Sequence, residues 1–152
     1  MRLTRTAGVS AFGTSNAKWE NSSLRAALNG TTFNSMPEDL KSVIKSVKKG
    51  YYWTESTTEN APYEARYHDN CKIWLFSYSE IDGRSHSAGS NINEGPAYPE
   101  INPHSVGFVD DTDYWLRTGF TNNYLALVRS AYSDIRNAKY NTTQGVVFGF
   151  CI

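Results

Sequence analysis

Four short segments crowd the end of the chain: "YWLRT", "NYLALVRS", "DIRNAKY" and "GVVFGFCI", all between Tyr114 and Ile152. The first, second and fourth are rich in aromatic, β-branched or large aliphatic residues, the third has fewer of them, and Gly, Asn, Thr and Ser gather between the segments, the pattern of strands joined by tight connections. The "AYSD" segment, from Ala131 to Asp134, is the expected turn between the second and third. Helix signals lie far upstream. A chain with helices first and strands later builds an α+β fold, because a βαβ alternation and its parallel sheet need the two kinds of element interleaved. With 152 residues, the chain is sized for one domain with one core.

Two helices are expected at the front. In "KWENSSLRAALNG", Trp19, Leu24, Ala27 and Leu28 can share a side, with Asn29-Gly30 as the stop. In "SMPEDLKSVIKSVKKG", Ser35 is the candidate N-cap with Glu38 three residues on, Pro37 lies in the first turn and Gly50 follows the last. Leu40, Val43, Ile44 and Val47 form its apolar stripe, and Lys41, Lys45, Lys48 and Lys49 read as a solvated face. Tyr51 to Asp69 reads as a loop and "CKIWLFSY" as a buried strand. Ser79 to Asp113, rich in Gly, Ser, Asn and Pro, reads as a long unpatterned insertion, of the kind that either carries function or is packed by its own side chains.

The charge balance narrows the partners. Fifteen basic and fifteen acidic residues give no global field for nucleic acid or anionic membrane, and no apolar run is long enough to span a bilayer. "MRLTRTAGVSAFGTSN" has arginines but no apolar core, so it does not read as a secretory signal; the chain reads as one domain, 1–152, cut from the C-terminal part of a longer protein. The unusual quantity is aromatic content, 14% with 10 Tyr, which together with Ser, Asn and Gly is the composition of binding surfaces.

Signals for catalysis or metal binding are thin. His68, His86 and His104 fall in separate loop-like regions with no ligand spacing between them. "YHDNC" brings His68, Asp69 and Cys71 together in sequence and "VDDTD" clusters Asp110, Asp111 and Asp113, but polar loop residues account for both better than a nucleophile or a calcium loop does. Cys71 and Cys151 are expected to be free thiols. Asn21, Asn29 and Asn141 open glycosylation sequons, which have meaning only in a eukaryotic secretory context. The expectation is no enzyme, no cofactor and no metal.

The ordered set "WENSSLRAALNG", "FNSMPEDLKSVIKSV", "CKIWLFSYSEI", "YWLRTGF" and "GVVFGFCI" resembles a widespread bacterial and phage domain family, with a C-type-lectin-like fold related to formylglycine-generating enzymes. The likeness runs from Trp19 to Ile152. It is carried by Trp19, Asn21, Ser22, Leu24, Arg25, Leu28 and Asn29 in the first segment, and by Trp115, Leu116 and Arg117 in the fourth, with Thr118 where Ser is usual. The resemblance implies two N-terminal helices and a small, mostly antiparallel sheet with long loops. The calcium-lectin tripeptides Glu-Pro-Asn and Trp-Asn-Asp are absent.

Many members of that family end in "GVRPA", whereas this chain ends in "GVVFGFCI", similar to the subset whose C-terminal region is rewritten by diversity-generating retroelements. Adenine-directed randomisation of Asn-type codons never yields Lys, Glu, Gln, Met or Trp. None of these five occurs from Thr118 to Ala138, although they fill 22 of the other 131 positions. The resemblance therefore implies a ligand-binding domain of a phage receptor-binding or bacterial surface protein, on the virion or cell surface, whose last sheet contacts a protein or glycan; the alternative is a non-diversified adhesin or carbohydrate-binding domain. The expected contact residues are Phe120, Tyr124, Leu127, Arg129, Tyr132, Asp134, Arg136, Asn137 and Tyr140. By strand alternation Tyr124, Ala126 and Val128 share one side and Leu125, Leu127 and Arg129 the other, and Arg129 argues that the second set faces outward.

Overall fold

The computed structural model describes residues 8–53, 55, 66–83, 94–98, 113–129 and 134–152. The architecture is α+β, with few and short helices and three small sheets. The main sheet has five strands: β1 (Val9–Ala11), β5 (Tyr114–Gly119), β6 (Tyr124–Arg129), β7 (Asp134–Lys139) and β8 (Thr143–Gly145), in the order β1-β8-β5-β6-β7. All pairings in it are antiparallel except β5 with β8. Two ribbons complete the set: β2 (Val47–Tyr52) with β3 (Arg66–Cys71), and β4 (Trp74–Leu75) with β9 (Phe148–Gly149). Strands β5, β6 and β7 thus lie where the sequence places them, whereas "GVVFGFCI" is not one strand: β8 ends at its first residue and only Phe148–Gly149 forms a further strand, paired with β4. The proposed turn at Ala131–Asp134 lies largely outside the described residues.

Strand β6 decides the layering. Its "LALV" core is apolar at every position, so both of its faces must be covered. Leu125 and Leu127 enter the main core with Trp115, Phe12, Trp19 and Leu28, while Ala126 and Val128 enter a second core with Tyr114, Leu116, Phe76 and Ile81. The expectation that Leu125 and Leu127 face outward is therefore wrong. The single charge of Arg129 at the strand end does not outweigh two leucines, whose burial is worth roughly 1.5–3 kcal/mol each.

The first helix begins as a single 3-10 turn at Trp19–Asn21, then becomes α1 (Ser23–Ala27) with Ser22 as N-cap, its hydroxyl accepting from the Arg25 N–H. It does not stop at Asn29-Gly30. It continues through a π-helical turn over Leu28–Thr32, and the Asn29 side chain is used as a clamp: Oδ1 accepts from the N–H groups of Lys72 and Ile73, and Nδ2 donates to the Ile73 carbonyl. Trp19, Leu24 and Leu28 are buried as expected, but Ala27 is exposed.

The second helix is much shorter than its sequence pattern. Helix α2 spans only Glu38–Val43, with Pro37 at the N-cap position, while the Ser35 hydroxyl donates back to Thr32. Val43 is exposed and Val47 opens β2, so the apolar stripe is not one helical face. Pairing with β3 overrides local propensity here: Tyr51 and Tyr52 become fully buried, and Gly50 admits the Glu94 backbone, whose carbonyl oxygen would lie 3.1 Å from an added Cβ. Strand pairing likewise replaces part of the expected Tyr51–Asp69 loop. Inside the expected insertion, a third helix, α3 (Tyr78–Asp82), carries a full capping box between Ser77 and Glu80 and ends at Gly83 with φ 74°.

Candidate functional site

Under the main sheet lies a buried ionic cluster built from five separate parts of the chain. Arg117, on β5, has no exposure. Its guanidinium donates to Glu80 Oε2 at 2.6 Å, to the Gly50 carbonyl at 2.7 Å, to the Glu94 carbonyl at 3.3 Å and to the Leu75 carbonyl. A planar fork of five donors is the one side chain able to serve so many acceptors at fixed angles. Glu80 also accepts from the Ser77 N–H at 3.0 Å and from Lys49 Nζ at 2.9 Å, and Lys49 in turn lies 4.3 Å above the Trp74 ring and donates to the Tyr98 hydroxyl.

Glu94 closes the cluster. Its carboxylate accepts from the Tyr52 N–H at 2.7 Å and from the Thr118 hydroxyl at 2.6 Å, while Thr118 accepts from the Tyr78 N–H. The two carboxyls are shifted in opposite directions. Burial alone would raise Glu80, but Arg117 and Lys49 outweigh it and hold the group below its ordinary value. Burial dominates at Glu94, and Arg117, Thr118 and Tyr52 only partly offset it, so its carboxyl is raised. Every group in the cluster points inward to protein. Chemically it is a brace: it locks β5 to β2, β4, α3 and the Glu94–Tyr98 segment.

Apart from that brace, an open concavity of 710 Å³ runs along β7. Four consecutive residues of the strand line it, Ile135 to Ala138, together with Phe120, Leu127, Asp113 and Gln144. Leu127 stands directly opposite Arg136, and Val128 opposite Ile135. The lining mixes apolar surface with one carboxylate, one guanidinium and two amides, which suits binding better than bond chemistry.

Of the contact residues expected from sequence, Phe120, Leu127, Arg136 and Asn137 come together on this concavity. Leu127 is 4% exposed and serves as its floor. Tyr124, 41% exposed, stands beside it at the start of β6, opposite Lys139. Tyr140 does not line the concavity; it is half-buried against the main core. Arg129 and Asp134 pair at the strand ends, and Tyr132 lies outside the described residues, as do the side chains of Arg129 and Asp134. Sequence reading missed Asp113, Ile135, Ala138 and Gln144. The position of β7 at the end of the sheet, with no further strand beside it among the described residues, has no signature in a single sequence. It also missed the brace, whose four charged members are far apart in the chain.

The other chemical candidates resolve differently. His68 and Asp69 lie in strand β3 rather than a loop, and the Asp69 carboxylate is held by Arg25 at 2.6 and 2.8 Å. Cys71 and Cys151 are free, one buried and one exposed. Burial, then the Asp69 charge, pushes the Cys71 thiol up to about 11, so it stays protonated at neutral pH. Asp110 and Asp111 lie outside the described residues. Among the described residues, no group of three or more His, Cys, Asp or Glu side chains is placed to hold a metal, and no helix is long and apolar enough to cross a membrane.

A family model described as a domain of unknown function, DUF6273, matches residues 5–152, nearly the whole chain. The chain belongs to the DUF6273 family. No curated protein and no solved structure matches this DUF6273 domain.

Proposed function

We infer that this DUF6273 domain is a ligand-binding display domain with a C-type-lectin-like arrangement, its contact face formed by the β6–β7 hairpin. The observation that carries the reading is a coincidence of two independent features. Six of the eight residues lining the concavity (Phe120, Leu127, Ile135, Arg136, Asn137 and Ala138) fall inside the Thr118–Ala138 tract that lacks Lys, Glu, Gln, Met and Trp. A restricted alphabet placed on a concave surface is what a retroelement-diversified receptor needs, since the partner meets the varied side chains while the buried brace keeps the strands in register. The natural setting of such a domain is the surface of a virion or bacterial cell, with a protein or glycan as partner.

The test is genomic. Flanking DNA is expected to carry an adenine-rich near-copy of the codons for Thr118 to Ala138, with a reverse transcriptase gene close by. Absence of both would leave a binding domain of fixed specificity.

A further inference from the structure

The concavity follows a strand that ends the sheet. β7 pairs with β6 over its full length and has no neighbour on its other side among the described residues. The register shows which backbone groups face that open side. The Tyr140 N–H donates to the Asn123 carbonyl in line with the Tyr124↔Lys139 pairing, so in the alternation of an antiparallel ladder Ala138 and Arg136 exchange bonds with Leu125 and Leu127. Ile135, Asn137 and Lys139 therefore turn their N–H and C=O groups outward. The Lys139 carbonyl is taken by Thr142, through its N–H at 2.9 Å and its hydroxyl at 2.8 Å. The outward groups of Ile135 and Asn137 bond no described residue.

The side chains of the same three residues share one face. Ile135 packs beside Phe120 on the second core and is half-buried, Asn137 is exposed, and Lys139 is exposed next to Tyr124. The Lys139 ammonium forms no ion pair with a described residue. A backbone edge with no partner among the described residues, a concavity lined by consecutive residues of that edge, and an apolar site four residues from a cation together describe a linear ligand lying alongside the strand, not a compact one.

We propose that β7 binds an extended peptide segment of a partner protein by strand addition. The peptide supplies an apolar side chain over Ile135 and Phe120 and, four residues away on the same face, an Asp or Glu that reaches Lys139 beside Tyr124. This rests on the reading of the β6–β7 hairpin as the binding face, and it names the partner class: a polypeptide in extended conformation, with main-chain bonds supplying affinity and the apolar-x-x-x-acidic spacing supplying selectivity.

Asn137 makes a discriminating test possible. Its N–H faces outward, so Asn137→Pro deletes a donor from the open edge while leaving the β6–β7 ladder intact, whereas Asn137→Ala removes only the side chain. The domain is used to select from a displayed library of random linear peptides. The expected result is enrichment of an apolar and an acidic residue four positions apart, apolar first for a peptide parallel to β7 and acidic first for an antiparallel one. Affinity should fall at least about tenfold with Asn137→Pro, at unchanged melting temperature, and stay within about threefold with Asn137→Ala. If Asn137→Pro fails to fold, N-methylation along a selected peptide replaces it, and sensitivity must then alternate from one residue to the next. Failure to enrich any peptide overturns strand addition, as does binding that tolerates Asn137→Pro or is insensitive to alternate N-methylation. Peptides that survive Asn137→Pro but are lost with Tyr124→Ala would overturn strand addition while leaving the hairpin as the binding face.

Discussion

Arg117 Nη1 lies 2.6 Å from Glu80 Oε2, and both side chains are shut off from solvent. An isolated buried ion pair contributes little net stability, because desolvation cancels most of the attraction. Here the remaining donors of Arg117 meet the carbonyls of Gly50, Leu75 and Glu94, and Glu80 also answers Lys49. Removing one partner is the costly event. Glu80→Gln should destabilise the domain by about 3–5 kcal/mol, since Arg117 and Lys49 would be left facing a neutral amide. Urea unfolding followed by tryptophan fluorescence measures it; a loss below about 1 kcal/mol would mean the cluster is not a brace.

The opposed shifts of the two carboxyls predict opposed pH dependences. Glu80 is held below 4.5 in the folded state, so its stabilising share is present above that value and is lost as pH falls through the lower folded one. Glu94 is raised above 4.5, so the fold is favoured when it is protonated, and that share is lost as pH rises from 4.5 through the folded value. Glu94→Gln keeps an acceptor for the Tyr52 N–H and cannot ionise. Its unfolding free energy relative to wild type should therefore rise with pH above 4.5 and then level off. A relative stability that instead falls as pH rises toward 4.5 and stays flat above it would place the Glu94 carboxyl below its ordinary value.

Two glycines separate close approach from plain chain entropy. At Gly50 an added Cβ would lie 3.1 Å from the Glu94 carbonyl oxygen, a backbone atom of the braced segment, whereas at Gly30 nothing lies within 4 Å. Gly50→Ala should cost about 1–3 kcal/mol by pushing the Glu94 segment off its bonds. Gly30→Ala, inside the first helical run, should stabilise by about 0.5–1 kcal/mol. Thermal unfolding of the two variants reads both signs, and equal effects would mean Gly50 is not a packing contact.

Why was the second half of the chain more legible than the first? Strands β5 and β6 are short, largely apolar runs with clear boundaries, and their pairing with each other and with the more polar β7 follows from adjacency. The "SVIKSVKKG" segment misleads because its 3.6-residue period is real but unused: Val47, Lys49 and Tyr51 also alternate, and pairing with β3 selects the two-residue period. Arg117 was visible only as part of a strand motif, because its partners Glu80 and Glu94 are fixed by tertiary structure alone. The concavity was half legible. The restricted alphabet locates the tract, but which of its side chains emerge depends on both faces of β6 being covered, so alternation along that strand yields no outward set between Leu125 and Val128.

If the hairpin is a display surface, it must tolerate variation at its exposed positions and refuse it beneath. Tyr124, Arg136 and Asn137 are exposed, whereas Leu125 and Leu127 are buried in the main core. Replacing Tyr124 by Ser or Asp, and Arg136 and Asn137 by Ser, Asp or Tyr, one at a time and all within the adenine-derived alphabet, should shift stability by no more than about 0.5 kcal/mol each. Leu127→Ala should cost about 2–5 kcal/mol, because it empties the floor of the concavity and opens a void against Trp115. A proteolysis-resistance screen of a library randomised at the five positions measures all of this at once. Survivors should carry every allowed residue at the three outer sites and only large aliphatics at the inner two. Purging of the outer sites as severe as that of the inner ones would mean that the surface belongs to the fold and is not available for display.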